Sequence, residues 1–320
     1  MKNSFGIGLG YGNDIGPRFK IIWKKPWINA YGHSLEHNFS LSTSEQRADI
    51  SYKIPVFYNP LDQYYLFQGG YIYKKIYDDF QSEVIAVNIA RYWNNSNNWQ
   101  RVINLNGYIR YYMQGAHLMK TMMLIGPGIS VNRIQQYDDI IPYWIHNQRY
   151  SINISTNYWK TNINYIILQS QNIWFRTFFD SHHILIRNNL SWFETSGLLC
   201  IIPDFRFFFT KDQGIRGYKY QLLSSSECFQ YIKRIDTKLI INTVEYQYNI
   251  CDKWRGVIFV DFGEITKNIR WKNFKSGIGI GIRWKLPVGL LKIDVAIPLI
   301  HKIKADHRFL HFYINLGSEL

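Results

Sequence analysis

A chain of 320 residues with net charge +14 and mean hydropathy -0.23 has the average polarity of a water-soluble protein. Helical membrane spans need runs of ~20 apolar residues, and the longest apolar stretches, Gly197–Ile202 and Gly277–Ile282, are far shorter. Lys and Arg are scattered without a nucleic-acid motif, and Cys200, Cys228 and Cys251 are odd in number and lack CxxC spacing, so neither nucleic acid, a disulfide framework nor a zinc site is expected.

Aromatic residues make up 17% of the chain. Tyr and Trp suit the boundary between lipid and water, although a tyrosine-rich soluble β protein would show the same share. Period-two alternation, the mark of strands, begins at once. In FGIGLGYG, Gly6, Gly8, Gly10 and Gly12 occupy one face and Phe5, Ile7, Leu9 and Tyr11 the other. At 46–55, Ala48, Ile50, Tyr52 and Ile54 alternate with Arg47, Asp49, Ser51 and Lys53. At 289–298, Leu291, Ile293, Val295 and Ile297 alternate with Lys292, Asp294 and Ala296, and at 309–317, Leu310, Phe312, Ile314 and Leu316 alternate with His311, Tyr313 and Asn315.

Strands of ~9–11 residues, the length of a membrane span, are predicted around Ile7, Ile21, Phe39, Ile50, Phe67, Ala86, Leu105, Leu124, Ile152, Tyr165, Ile186, Val244, Ile258, Ile280, Ile293 and Ile314. The predicted fold is all-β: a sixteen-stranded antiparallel transmembrane β-barrel occupying 1–320, with a long loop folded into the lumen. Short connections are predicted at Thr43–Glu45, Lys160–Thr161 and Pro287–Gly289, and longer ones at Trp27–His33, Tyr77–Phe80 and Gln135–Gln148. The connection from Gly197 to Asp236 is far longer than the ~12–15 residues beyond which loops tend to be functional or disordered, and its aromatic content argues against disorder. Cys200 and Cys228 lie within it; three free thiols are the expected state, with pairing of these two open in an oxidising compartment.

That loop carries Gly214-Ile215-Arg216-Gly217-Tyr218, where glycines beside an Arg allow a tight backbone path. The next strands supply acids. Val244, Tyr246 and Tyr248 are read as lipid-facing, which turns Glu245 inward; Ile258, Val260 and Phe262 likewise turn Phe259 and Asp261 inward. In GIGIGIRW, outward Ile278, Ile280 and Ile282 leave Gly277, Gly279 and Gly281 as an inward strip of bare backbone. This reads as a docking slot, with Arg216 able to reach Asp261 and Glu245 through its planar, two-pronged guanidinium.

Taken together, the RGY loop, EYQY, FVDFG, GIGIRWKLPVG and the terminal HFYINLGSEL resemble the outer-membrane insertase and transporter superfamily that includes BamA and the two-partner secretion pores. WKKPWINAYGHSL (23–35), NPLDQYYLFQGGY (59–71), RYWNNSNNWQRVINL (91–105) and GIRGYKY (214–220) are similar to its TamA group, the outer-membrane half of the translocation and assembly module. The resemblance implies a bacterial outer-membrane location and a lumen-loop lock formed by Arg216, Gly217 and Tyr218 with Glu245, Asp261 and Gly263. It also implies client outer-membrane proteins including autotransporters, outer-membrane lipid as a possible cargo, and a TamB-like partner anchored in the inner membrane. Family members carry a signal peptide and POTRA domains ahead of the barrel. The first twenty residues here lack a signal-peptide apolar core, so a fragment or a reduced form is expected, which puts the TamB-like partner in doubt. Thr210-Lys211 stand where the family tends to have a Gly pair.

In a closed barrel the first strand meets the last. The glycines of the first strand weaken it, and Gly317 adds a kink to the last, so these residues mark a lateral seam able to template a client strand. Making room for the loop is an equally good reading of the first-strand glycines. A passive diffusion pore or a two-partner-secretion-type transporter is the alternative function. No enzymatic role and no cofactor are expected: His182 and His183 face opposite ways, no Ser-centred motif accompanies them, and His301, His307 and His311 form no recognisable metal set.

Overall fold

Each of the sixteen apolar centres falls within a strand. In the computed structural model the residues described are 3–12, 16–77, 80–94, 98–114, 117–136, 144–156, 164–195, 214–218, 238–266, 269, 274–286, 289–299 and 310–317. Their strands are β1 (Ser4–Gly12), β2 (Gly16–Lys25), β3 (Ser34–Ser42), β4 (Glu45–Pro55), β5 (Gln63–Tyr77), β6 (Phe80–Asn94), β7 (Trp99–Gln114), β8 (His117–Gln136), β9 (Trp144–Ser155), β10 (Tyr165–Phe178), β11 (His182–Thr195), β12 (Lys238–Cys251), β13 (Trp254–Thr266), β14 (Lys275–Leu286), β15 (Gly289–Pro298) and β16 (His311–Gly317). Each pairs with its sequence neighbours, and β1 neighbours β16, so the hydrogen-bonded order is that of a closed antiparallel barrel. No described helix is long and apolar enough to cross a membrane, and the crossing elements are strands.

Two compact units make up the chain: residues 1–132, 151–166 and 195–197 form the first, and 133–150, 167–194 and 198–320 the second. In the first, the outward rows are apolar and bare, with Ile7 64% and Leu9 67% exposed and Phe39, Ile50 and Phe67 also exposed. On a soluble surface such rows would be a liability; on a barrel they are the lipid-facing wall. The inward rows are polar and bond to one another. Gln68 donates to Ser51 (3.2 Å) and Asn88 to Gln68 (3.0 Å) across neighbouring strands, and Asn106 of β7 donates to Asn153 of β9 (3.2 Å). The second unit repeats the division. Val244, Tyr246, Tyr248, Ile258, Val260, Phe262, Ile280 and Ile282 are exposed, while Glu245, Phe259 and Asp261 are buried on the opposite face.

Several boundaries differ from expectation. β8 has 20 residues and β7 16, well beyond one span's length. Tyr165 begins β10 rather than centring it. The longer connection expected at Tyr77–Phe80 is a two-residue link, because β5 ends at Tyr77 and β6 starts at Phe80. The one expected over Gln135–Gln148 is shorter, because β8 runs to Gln136 and β9 starts at Trp144. The Lys160–Thr161 turn, Cys200 and Cys228 lie outside the described residues; Cys251 is a free, exposed thiol.

Candidate functional site

The described part of the long connection, residues 214–218, packs on the inward faces of β12–β16 within the second unit. Register builds the platform. Glu245 lies opposite Phe259, Phe259 opposite Gly279, Asp261 opposite Gly277, and Gly281 opposite Asp294. Period two then puts Glu245, Phe259, Asp261, the three glycines, Arg283 and Asp294 on one face.

Arg216 is inserted into this platform, and Ile215, Arg216 and Tyr218 are all buried. Asp261 takes three bonds from it: from the backbone N–H (3.0 Å) and Nε (2.7 Å) to Oδ2, and from Nη2 (2.9 Å) to Oδ1. Nη2 also meets Glu245 Oε1 at 2.8 Å, and Nη1 meets Asp294 Oδ2 at 3.1 Å. The guanidinium carbon lies 3.3 Å from the Phe259 ring centroid, a cation–π contact from below. Burial alone would lower the Arg216 pKa; Glu245, Asp261 and Asp294 more than offset this and hold it above its ordinary value.

A second arginine shares two of these acids. Arg283 of β14 meets Asp294 Oδ1 through Nη1, Asp294 Oδ2 through Nη2 at 3.1 Å, and Glu245 Oε2 at 3.6 Å. Gln247 donates to the same Glu245 oxygen at 3.2 Å. Two guanidiniums therefore face three carboxylates in a buried patch. Such groups are tolerated inside only when paired and hydrogen-bonded.

The three glycines of the slot serve different neighbours. At Gly277 a Cβ would collide with the carbonyl oxygen of Arg216, so this position admits the loop backbone itself. At Gly279 it would strike the Phe259 ring and the Val295 carbonyl, and at Gly281 the Asp294 carboxylate. Those two make room for the groups that hold Arg216, not for the loop chain. Gly217 has φ +100, in the left-handed region glycine favours, and a Cβ there would lie 2.9 Å from the Ile297 carbonyl carbon. Gly263, expected in the lock, instead lets the β12 backbone approach at Ile240.

The loop tip is also tied to the last strand. The Tyr313 hydroxyl on β16 accepts from the Gly217 N–H (2.8 Å) and donates to the Tyr218 carbonyl (3.4 Å), while the Tyr218 hydroxyl donates to the Ser276 carbonyl (3.2 Å).

The second half of the chain, residues 144–320, matches the model of the Omp85 superfamily domain. The chain belongs to the Omp85 superfamily. Solved structures agree on the fold. BamA from Haemophilus ducreyi lacking POTRA domains 1-3 superposes with a TM-score of 0.81 at 13% identity, covering 99% of this chain and 70% of that one. CdiB from Acinetobacter baumannii gives 0.63 at 16% identity, over 99% of this chain and 60% of that one. CdiB from Escherichia coli gives 0.65 at 9%, over 99% and 67%. This Omp85 chain is thus an outer-membrane β-barrel that spans about two thirds of the length of each.

At the expected seam of this Omp85 barrel, β1 pairs regularly with β2: Gly6 with Ile22, Gly8 with Lys20, Gly10 with Arg18 and Gly12 with Gly16. Among the described residues, a Cβ at Gly6 or Gly8 would make only ordinary contacts, 3.8 Å from Ile22 and 3.6 Å from Lys20. Gly317 pairs with Leu290. Arg283, Asp294 and Tyr313 were not singled out by sequence, though each lies on the inward row of its strand. His183 is fully buried, between Thr177 (2.8 Å) and Asn249 (3.0 Å) and stacked on Phe175, which makes it a packed core residue.

Proposed function

We propose that this Omp85 barrel assembles or exports other outer-membrane proteins, autotransporters among them, by templating client strands at the seam between β1 and β16. The role is non-enzymatic and follows the TamA group, with a TamB-like inner-membrane-anchored partner and lipid as possible cargo. The observation carrying this reading is a contrast between glycines. Those at 217, 277, 279 and 281 are required by close neighbours, whereas Gly6 and Gly8 have room for a side chain. Glycine inside a strand leaves that strand weak by composition. A weak strand beside the closing strand favours opening there, and an opened edge offers N–H and C=O groups to an incoming strand. Among the described residues, the nearest neighbours of these two positions are on β2.

Replacing Gly6 and Gly8 by Ala tests this directly. Each change strengthens β1 by ~0.5–1 kcal/mol. The doubly substituted barrel should fold normally and insert an autotransporter β-domain into vesicles several-fold more slowly. Unchanged insertion would remove templating at β1.

A further inference from the structure

We infer that Arg283 is a resident counter-ion that makes docking of the Arg216 loop reversible. The inference rests on the reading of Arg216 as the loop's lock.

The division of contacts carries it. Asp261 is held by Arg216 through three hydrogen bonds. Glu245 and Asp294 are each shared, with Glu245 meeting Arg216 at 2.8 Å and Arg283 at 3.6 Å. Asp294 Oδ2 meets both arginines at 3.1 Å, and Oδ1 is engaged by Arg283. All five side chains are at most 10% exposed, so water does little to compensate a missing partner.

Consider the five charges with the loop present and withdrawn. Docked, two guanidiniums face three carboxylates, and Arg187 and Lys292 add positive charge near Glu245. Withdrawal of Arg216 removes one positive charge from this set. Arg283 stays because β14 carries it, and it keeps its contacts with both shared acids, so Asp261 alone loses its counter-ion. Without Arg283, withdrawal would also take the remaining guanidinium contacts from Asp294 and Glu245. Arg283 also opposes the docked state, because it places a second positive charge beside the same acids that attract Arg216. Both effects act in one direction: they make the loop easier to release. A residue serving only to support the wall would do the opposite when removed, loosening the loop.

The test follows loop release by thiol labelling. In the full chain with Cys200, Cys228 and Cys251 replaced by Ser, Ile215→Cys places a thiol at a site that is 3% exposed in the docked loop. A bulky maleimide reaches it only on release. Arg283→Met should slow labelling about tenfold, and Arg283→Lys, which keeps the charge, should leave it within a factor of a few. Arg283→Met combined with Asp294→Asn removes one charge of each sign and should return the rate toward that of the parent. Arg216→Ala should speed labelling strongly. Heat-modifiable gel mobility confirms that each variant is a folded barrel. If Arg216→Ala speeds labelling but Arg283→Met does so too, or changes nothing, the counter-ion role is overturned while the lock stands. If Arg216→Ala leaves the rate unchanged, the lock itself fails and the inference falls with it.

Discussion

Arg216 is surrounded by carboxylates, yet its docking is directional because one of them takes three of its donors. The backbone N–H, Nε and Nη2 all converge on Asp261, while Phe259 supports the guanidinium plane. A lysine could satisfy the charge but not this planar fork. Removing the side chain is costlier than losing its bonds, because buried Asp261, Glu245 and Asp294 remain. Breaking a buried pair costs ~3–5 kcal/mol, enough to displace the loop while leaving hydrogen bonding around the barrel intact. Arg216→Ala should therefore keep the folded barrel and raise both single-channel conductance and protease cleavage within 196–237. Parent-like conductance and protection would show that the cluster does not hold the loop.

At the scale of elements, β16 bears on both features of the molecule: it neighbours β1 and its Tyr313 grips the loop tip. Tyr313→Phe deletes one hydroxyl that serves Gly217 and Tyr218, a loss of ~1 kcal/mol by the usual net value of a hydrogen bond. Arg216 keeps its acids, so the loop should stay docked on average. Hydrogen exchange should rise about fivefold at the Gly217 amide with little change in β13. An unchanged Gly217 amide would mean that the tyrosine packs without tying. Much of this was legible in the chain. Period two placed all sixteen strands and put Glu245, Asp261 and the 277–281 glycines on the inward side, because lipid outside and polar groups inside impose the alternation residue by residue. The same rows contained Arg283, Asp294 and Tyr313, but their meeting depends on strand register and on where the loop backbone passes, and neither leaves a local signal. The extents of β7 and β8 were hidden for a related reason: past the lipid boundary nothing compels alternation, so the pattern fades before the strand ends.

For the molecule as a whole, the proposed function makes the loop and the seam separate devices within a single barrel. A barrel with an inward loop and a strong β1 would be only a plugged cylinder; one with a weak β1 and no loop would leak. The two separate cleanly by mutation. Gly277→Ala puts a methyl group where the Arg216 carbonyl oxygen sits, so the loop must leave, while β14 keeps its pairing with β13 and β15. An engineered disulfide between β1 and β16, in a background without the native cysteines, closes the seam and leaves the slot untouched. The barrel carrying both changes should conduct ions more freely than the parent in planar bilayers, because the lumen is vacated. Its insertion of an autotransporter β-domain should nonetheless stay at background and recover when the disulfide is reduced. A client that passed through the vacated lumen would be indifferent to the disulfide. Insertion that persists in the oxidised form would therefore exclude the seam as the route, whereas recovery on reduction places client entry at the edges of β1 and β16.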